Sequence, residues 1–297
     1  MATDRESFLK NLKRCEFGSV LMTYSDPANS LPGAASKFGG APSLPSDVQW
    51  PTWRSPMFKK ERPLSFVAQI NCREASPYDV ENILPKSGVI YFFADSVYGA
   101  NRIDDQKSWF VYYYDGPEDA LTSRDIPPEL FDKNYPSSVF VEKSISFSSQ
   151  PSVPDLAELP FYVKFGIDES NRQEFKTLTA IRQKYCGSES DEFDHYFTER
   201  SFLLGYPDLI QGPLAPKCVL DDLGIAEFPS TNEGIAAFFK TLAKWTLLAQ
   251  FGPIGKTHGM GEYEFIWADC GNFYFFIKEE DLKQKKFDAI WAESDCY

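Results

Sequence analysis

The chain predicts an α+β fold, largely antiparallel sheet, built from two internally duplicated strand groups with helices inserted between them. Three observations carry this. A Gly-Pro turn tract followed by an Ala-Gln strand and a Tyr-Phe-Phe strand occurs twice, at Phe38–Phe93 and again at Leu204–Phe276. The step from the Ala-Gln pair to the Tyr-Phe-Phe triplet is similar in both, 22 residues from Gln69 to Tyr91 and 24 from Gln250 to Tyr274. A pattern that returns in order at such offsets is the mark of duplication. Finally, aromatic residues make up 16% of the chain and fall mostly in short runs, and aromatics favour pleated, half-buried surfaces.

In chain order, Phe8, Leu9 and Leu12 have helical spacing and predict a short helix between Asp4 and Arg14. Val20 to Tyr24 reads as a strand. From Ser25 to Trp53 five prolines and three glycines argue against regular structure. Strands are expected at about 64–70, 88–94, 108–115 and 138–148, the last with the apolar–polar alternation of a half-buried strand. Pro151, Pro154 and Pro160 mark a junction, and Phe175, Leu178, Ile181 and Tyr185 place a helix within 169–185. Ile235, Phe238, Phe239 and Leu242 place another before a strand at 245–251. Strands are then expected at 263–268, 272–278 and 288–293. A short helix at 279–286 has acids at its start and lysines at its end, as the helix dipole favours. The whole is expected to form a single domain over 1–297, with repeats at about 36–115 and 201–294 and a helical insertion at about 160–200.

The 297 residues carry a net charge of −13, which disfavours nucleic acid and anionic membranes and favours a basic partner. No stretch approaches the length of a membrane span, and the polar N-terminus has no signal-peptide core, so the expected location is cytoplasmic. Six scattered cysteines without a Cys-x-x-Cys pair are expected to be free thiols.

Candidate chemistry is sparse. Gly252-Pro253-Ile254-Gly255-Lys256-Thr257 ends like a phosphate loop, but Gln250 stands where the first glycine is needed and Pro253 removes a donor. Asp191, His195 and Glu199 would align on a helix, yet they offer too few ligands for a metal site and read as a solvated acidic turn. Cys270, between Asp269 and Gly271, reads as a buried thiol at a strand end. No nucleophile elbow is present. No metal and no cofactor is expected.

The tract Ser36-Lys37-Phe38-Gly39-Gly40-Ala41-Pro42-Ser43-Leu44-Pro45, with Trp50-Pro51, Pro63 through Asn71 and Leu84 through Gly88, resembles the YwqG-like family of uncharacterised bacterial proteins. So do Leu204-Gly205-Tyr206-Pro207, Gln211-Gly212, Trp245 through Gln250, Gly271 through Ile277, Asp281-Leu282, Phe287 and the closing Cys296-Tyr297. Ala268 stands where the family tends to have glycine. The resemblance implies an intracellular α+β domain with internal duplication, and brings no reaction or catalytic residues with it.

The function expected is non-catalytic binding of a basic protein or peptide, in an immunity-like or adaptor role. The alternative is a hydrolase or small-ligand binder using a cleft between the repeats. If a pocket exists, Trp50, Gln69, Tyr206, Asp208, Gln211, Gln250, Trp267 and Asp269 are expected to border it, where the two Gly-Pro turns converge on the central strands.

Overall fold

The computed structural model describes residues 17–152 and 200–296, apart from 57, 101, 104–105, 135–137, 213, 256–262, 266 and 268–270. The helices expected at 4–14 and 169–185, the insertion at 160–200 and the Asp191–His195–Glu199 stripe therefore lie outside the described residues.

Ten strands form one antiparallel sheet. They are β1 (Phe17–Ser25), β2 (Lys37–Phe38), β3 (Ser65–Asn71), β4 (Val89–Ala94), β5 (Trp109–Tyr114), β6 (Lys143–Ser152), β7 (Ser201–Leu203), β8 (Trp245–Phe251), β9 (Asn272–Lys278) and β10 (Trp291–Asp295). Their order across the sheet is β5-β4-β3-β2-β6-β1-β7-β8-β9-β10. The long pair β6–β1 forms the middle, and from it the same sequence of strands extends to either side.

Matching contacts recur on the two sides. Gln69 pairs with Tyr91 across β3–β4, and Gln250 with Tyr274 across β8–β9. The register of β3–β4 slips between Phe66 and Ala68, and that of β8–β9 between Leu247 and Ala249. The skipped residues, Val67 and Leu248, turn their carbonyls to the backbone N–H of Gly39 and Leu204, at 2.8 and 3.1 Å. A bulge re-aims the backbone, and here both bulges anchor a turn. Each turn needs the left-handed region, at φ 62° for Gly39, 67° for Gly40, 61° for Leu204 and 82° for Gly205.

The sheet coils until its ends meet, as twisted sheets of this width do. Phe92 of β4 packs on Phe251 and Phe275 of the other side at 5.2 and 4.9 Å, and the edge tryptophans Trp109 and Trp291 meet edge-on at 5.6 Å. This inner core is continuous through Val20, Phe38, Ile90, Leu248 and Phe273. Because β4 and β9 are covered on both faces, the runs Val89–Ala94 and Phe273–Ile277 are continuously apolar or aromatic rather than alternating.

The outer faces are covered differently. Over β3–β4 lie Ala34, Leu44, Trp53 and Leu121, from the Gly-Pro tract and a ribbon that pairs 43–45 with 121–123. Over β8–β9 lie Leu214 and the helices that follow α1 (Cys72–Ala75) in the chain, α2 (Ala215–Leu223) and α3 (Asn232–Leu242). The α2 helix ends at Gly224 in the left-handed region, and Thr231 caps α3 by accepting from Gly234 N–H. A single turn, α4 (Glu279–Lys283), follows β9.

Several expected bounds are corrected. The segment 25–53 holds short strands at 37–38, 43–45 and, beginning at its end, 52–55. The strand expected at 138–148 runs 143–152, and Val141 lies exposed before it. The strand expected at 288–293 starts at Trp291, since Phe287 and Ile290 are buried as loop anchors instead. The strand expected over 263–268 covers 263–265, pairing with Ile254–Gly255 of the supposed phosphate loop.

Candidate functional site

Seven of the eight expected site residues are distributed among three places. Gln69 is fully buried and closes the first turn: its amide donates to the carbonyls of Gly33 and Ala35 at 2.7 and 2.8 Å and accepts from Ser43 N–H at 3.0 Å. Tyr91 completes the tie by donating to the Ser43 carbonyl at 2.6 Å. Trp50 is near by, donating to the Leu64 carbonyl at 2.8 Å and packing edge-on against Phe93.

Gln250 does the same work in the second turn. It donates to the Arg200 carbonyl and to Asp208 Oδ2, and accepts from Asp208 N–H at 2.8 Å. Tyr274 donates to the Asp208 carbonyl at 2.6 Å. The Asp208 carboxylate, buried, takes both Arg200 Nη2 at 2.6 Å and Nε at 3.2 Å, a forked pair. Tyr206 N–H donates to the Ser152 hydroxyl, and Gln211 ties the turn to Asp295 and Cys296. Tyr206, Asp208, Gln211 and Gln250 are thus brought to one turn, while Gln69 and Trp50 belong to the other.

Trp267 is buried in the inner core with Phe140, Phe265 and Phe273. Asp269 and Cys270 lie outside the described residues. Where the two sides face each other, rings packed edge-on or tilted fill the space. The glutamine amides have both N–H donors engaged by the protein, so these positions hold loops in place.

A different surface presents side chains outward. On β5, Trp109, Val111 and Tyr113 turn to the inner core, so Phe110, Tyr112 and Tyr114 turn out. Phe110 is 38% exposed, and Tyr112 and Tyr114 are half-buried. Phe110 and Tyr112 stack at 6.4 Å, Tyr112 stacks on Tyr91 at 6.1 Å, and Phe110 touches Phe93, which carries Trp50. The result is an outward aromatic row of Phe110, Tyr112 and Tyr114, linked to Trp50 through the buried Phe93.

Its rim is acidic. Burial and then the charge of Asp47 push the Tyr112 phenol up, and Asp47 is itself exposed. Tyr114 donates to the Pro117 carbonyl, which brings the exposed Glu118 and Asp119 beside the row. Sequence reasoning placed the strand but singled out none of Phe110, Tyr112 and Tyr114. All six residues of the strand are aromatic or apolar, so the sequence carries no signal for which three turn outward.

The titrating groups elsewhere are engaged with one another. Burial pushes the Cys72 thiol up to about 12, so it is inert as a thiolate. Lys285 holds Asp115 below the usual carboxylate range and is itself raised by it, the two at 2.5 Å, with Ser87 donating to the same carboxylate. Glu293 is raised by burial despite Lys217 at 2.8 Å. Among the described residues, no three His, Cys, Asp or Glu side chains are grouped to hold a metal, and no helix is long and apolar enough to cross a membrane.

A family model described as a domain of unknown function (DUF1963) matches residues 36–296, the stretch that contains both turns and all ten strands except β1. No curated protein matches the chain.

Proposed function

This chain belongs to the DUF1963 family, a domain of unknown function, and from that premise we propose that it is a binding module for a basic protein or peptide, docked on the outer aromatic face of β5. The observation that carries this reading is the row Phe110–Tyr112–Tyr114, with Asp47 close to Tyr112 and the Glu118–Asp119 turn following the Pro117 carbonyl that Tyr114 binds. Aromatic rings supply large contact area with few rotatable bonds, and tyrosine adds a polar tip. Acid at the rim steers a cationic partner and rejects an anionic one, in keeping with the net charge of −13. An adaptor or immunity-like role, masking a basic surface, is the use that such a face serves.

The test is a fluorescence-anisotropy titration with a labelled Lys-rich peptide and an Asp-rich peptide of equal length. The Lys-rich peptide is expected to bind, more weakly as salt rises. Asp47→Lys should weaken it by about tenfold while leaving the melting temperature unchanged, and Tyr112→Ala, which also removes a ring from buried Tyr91, should weaken it as much in a variant that circular dichroism shows folded. Equal affinity for both peptides, or wild-type binding by both variants, would reject the reading.

A further inference from the structure

The two edges of the ten-stranded sheet are treated very differently. The β10 edge is guarded. It carries Glu293 and Asp295, and its side chains are gripped from outside the sheet: Ser294 accepts from Ala100 N–H at 2.9 Å, Asp295 from Gln211 N–H at 2.8 Å, and Glu293 from Lys217 Nζ at 2.8 Å. Charges and covering segments are the usual means of keeping a strand edge from pairing with another chain.

On β5 the segment before β10 grips only inward side chains, Trp109 donating to the Ile290 carbonyl at 3.1 Å and Tyr113 stacking on Phe287 at 5.0 Å. Trp109-Phe110-Val111-Tyr112-Tyr113-Tyr114 contains no charge and no proline, and its register with β4 runs from Trp109–Ala94 to Tyr114–Val89 without a bulge. Among the described residues no strand pairs with its far side. Six aromatic or β-branched residues in an edge strand without a bulge form a template for one more strand.

We infer that β5 receives an extended basic segment of the partner as an eleventh strand, with alternate side chains laid over Phe110 and Tyr112 and cationic ones reaching Asp47, Glu118 or Asp119. This rests on the proposed binding role and adds to it the mode and the backbone specificity of recognition. Strand addition gives affinity through main-chain hydrogen bonds and selectivity through every second side chain. The occupant is a basic segment rather than a second copy of this chain, because two copies would each bring a charge of −13 and set acidic rims against each other.

The probe is a peptide of about ten residues alternating Lys and Val, the length of a strand that spans β5. Two further versions carry backbone N-methyl groups, one on every Val and the other on every Lys. In a strand, successive N–H groups point to opposite sides, so only one of the two sets can face β5. One methylated version should bind at least about tenfold more weakly than the unmodified peptide, the loss expected from removing several main-chain hydrogen bonds, and the other within about threefold of it. Loss in neither version, or equal loss in both, would overturn strand addition while the binding role stands. No binding of the unmodified peptide would reject the binding role itself. A dimer in sedimentation equilibrium that Phe110→Lys dissolves would overturn the choice of occupant. Phe110→Lys places on β5 the charge that its edge lacks, so it should also abolish binding of the unmodified peptide without lowering the melting temperature. Unchanged binding would remove the site from β5.

Discussion

Gln69 and Gln250 occupy matching places on opposite sides of the sheet, and each uses its whole amide to close the Gly-Pro turn beside it. Both side chains are fully buried, both cross-strand partners are tyrosines, and both tyrosines donate to the backbone of the same turn. Each glutamine binds carbonyl and N–H groups of its turn from a fully buried position, and leaving its own amide unpaired there costs more than a typical hydrogen bond contributes.

Gln69→Ala and Gln250→Ala are therefore expected to be comparably destabilising, each by about 2–4 kcal/mol. Urea denaturation of the two variants measures this. A loss below about 0.5 kcal/mol for either would mean that its turn is held by other contacts.

Stability should also depend on Glu293 with a definite sign. Burial raises its pKa above the ordinary 4.5, so the folded state holds this proton to higher pH than the unfolded chain does. As pH rises from about 4.5 through the raised value, the wild type should lose stability relative to Glu293→Gln, which does not titrate. Denaturation at a series of pH values gives the difference between the two. A wild type that gains on the variant over this range would show that Lys217 and Trp291 hold the carboxylate in its charged form.

Cys72, Cys218 and Cys296 are free, and the first two are buried. Thiol titration of the unfolded, non-reduced chain is expected to count all six cysteines, and two or fewer would overturn this. In the folded protein Cys72 should stay unreactive at neutral pH, being both buried and raised to about 12, and labelling there would contradict its placement.

Much of this architecture is legible in the sequence because the strands at 65–71, 89–94, 245–251 and 272–278 are dense in apolar and aromatic residues. The pairing of the Ala-Gln strand with the Tyr-Phe-Phe strand follows from the spacing. Less legible were features decided by the fold as a whole. Phe287 and Ile290 look like strand residues, but Phe287 stacks on Tyr113 and the Ile290 carbonyl accepts from Trp109, which fixes them as a loop. The α2 helix went unassigned although Pro216 opens it and Gly224 closes it. The site expectation gathered residues from both turns, whereas a coiled sheet puts those turns over different outer faces. Which of the alternating residues of β5 look outward is set by β10 and the loop before it lying over Trp109, Val111 and Tyr113, and no local pattern announces that.

The most direct measurement of partner recognition at β5 is amide hydrogen exchange with and without the alternating Lys-Val peptide at saturation. Protection is expected to rise at 109–114, on the strand whose far side meets no other strand among the described residues, and to stay unchanged at 291–295, where the side chains are gripped from outside the sheet. Protection confined to 200–212 or 291–295, or no change anywhere, would contradict a binding edge at β5.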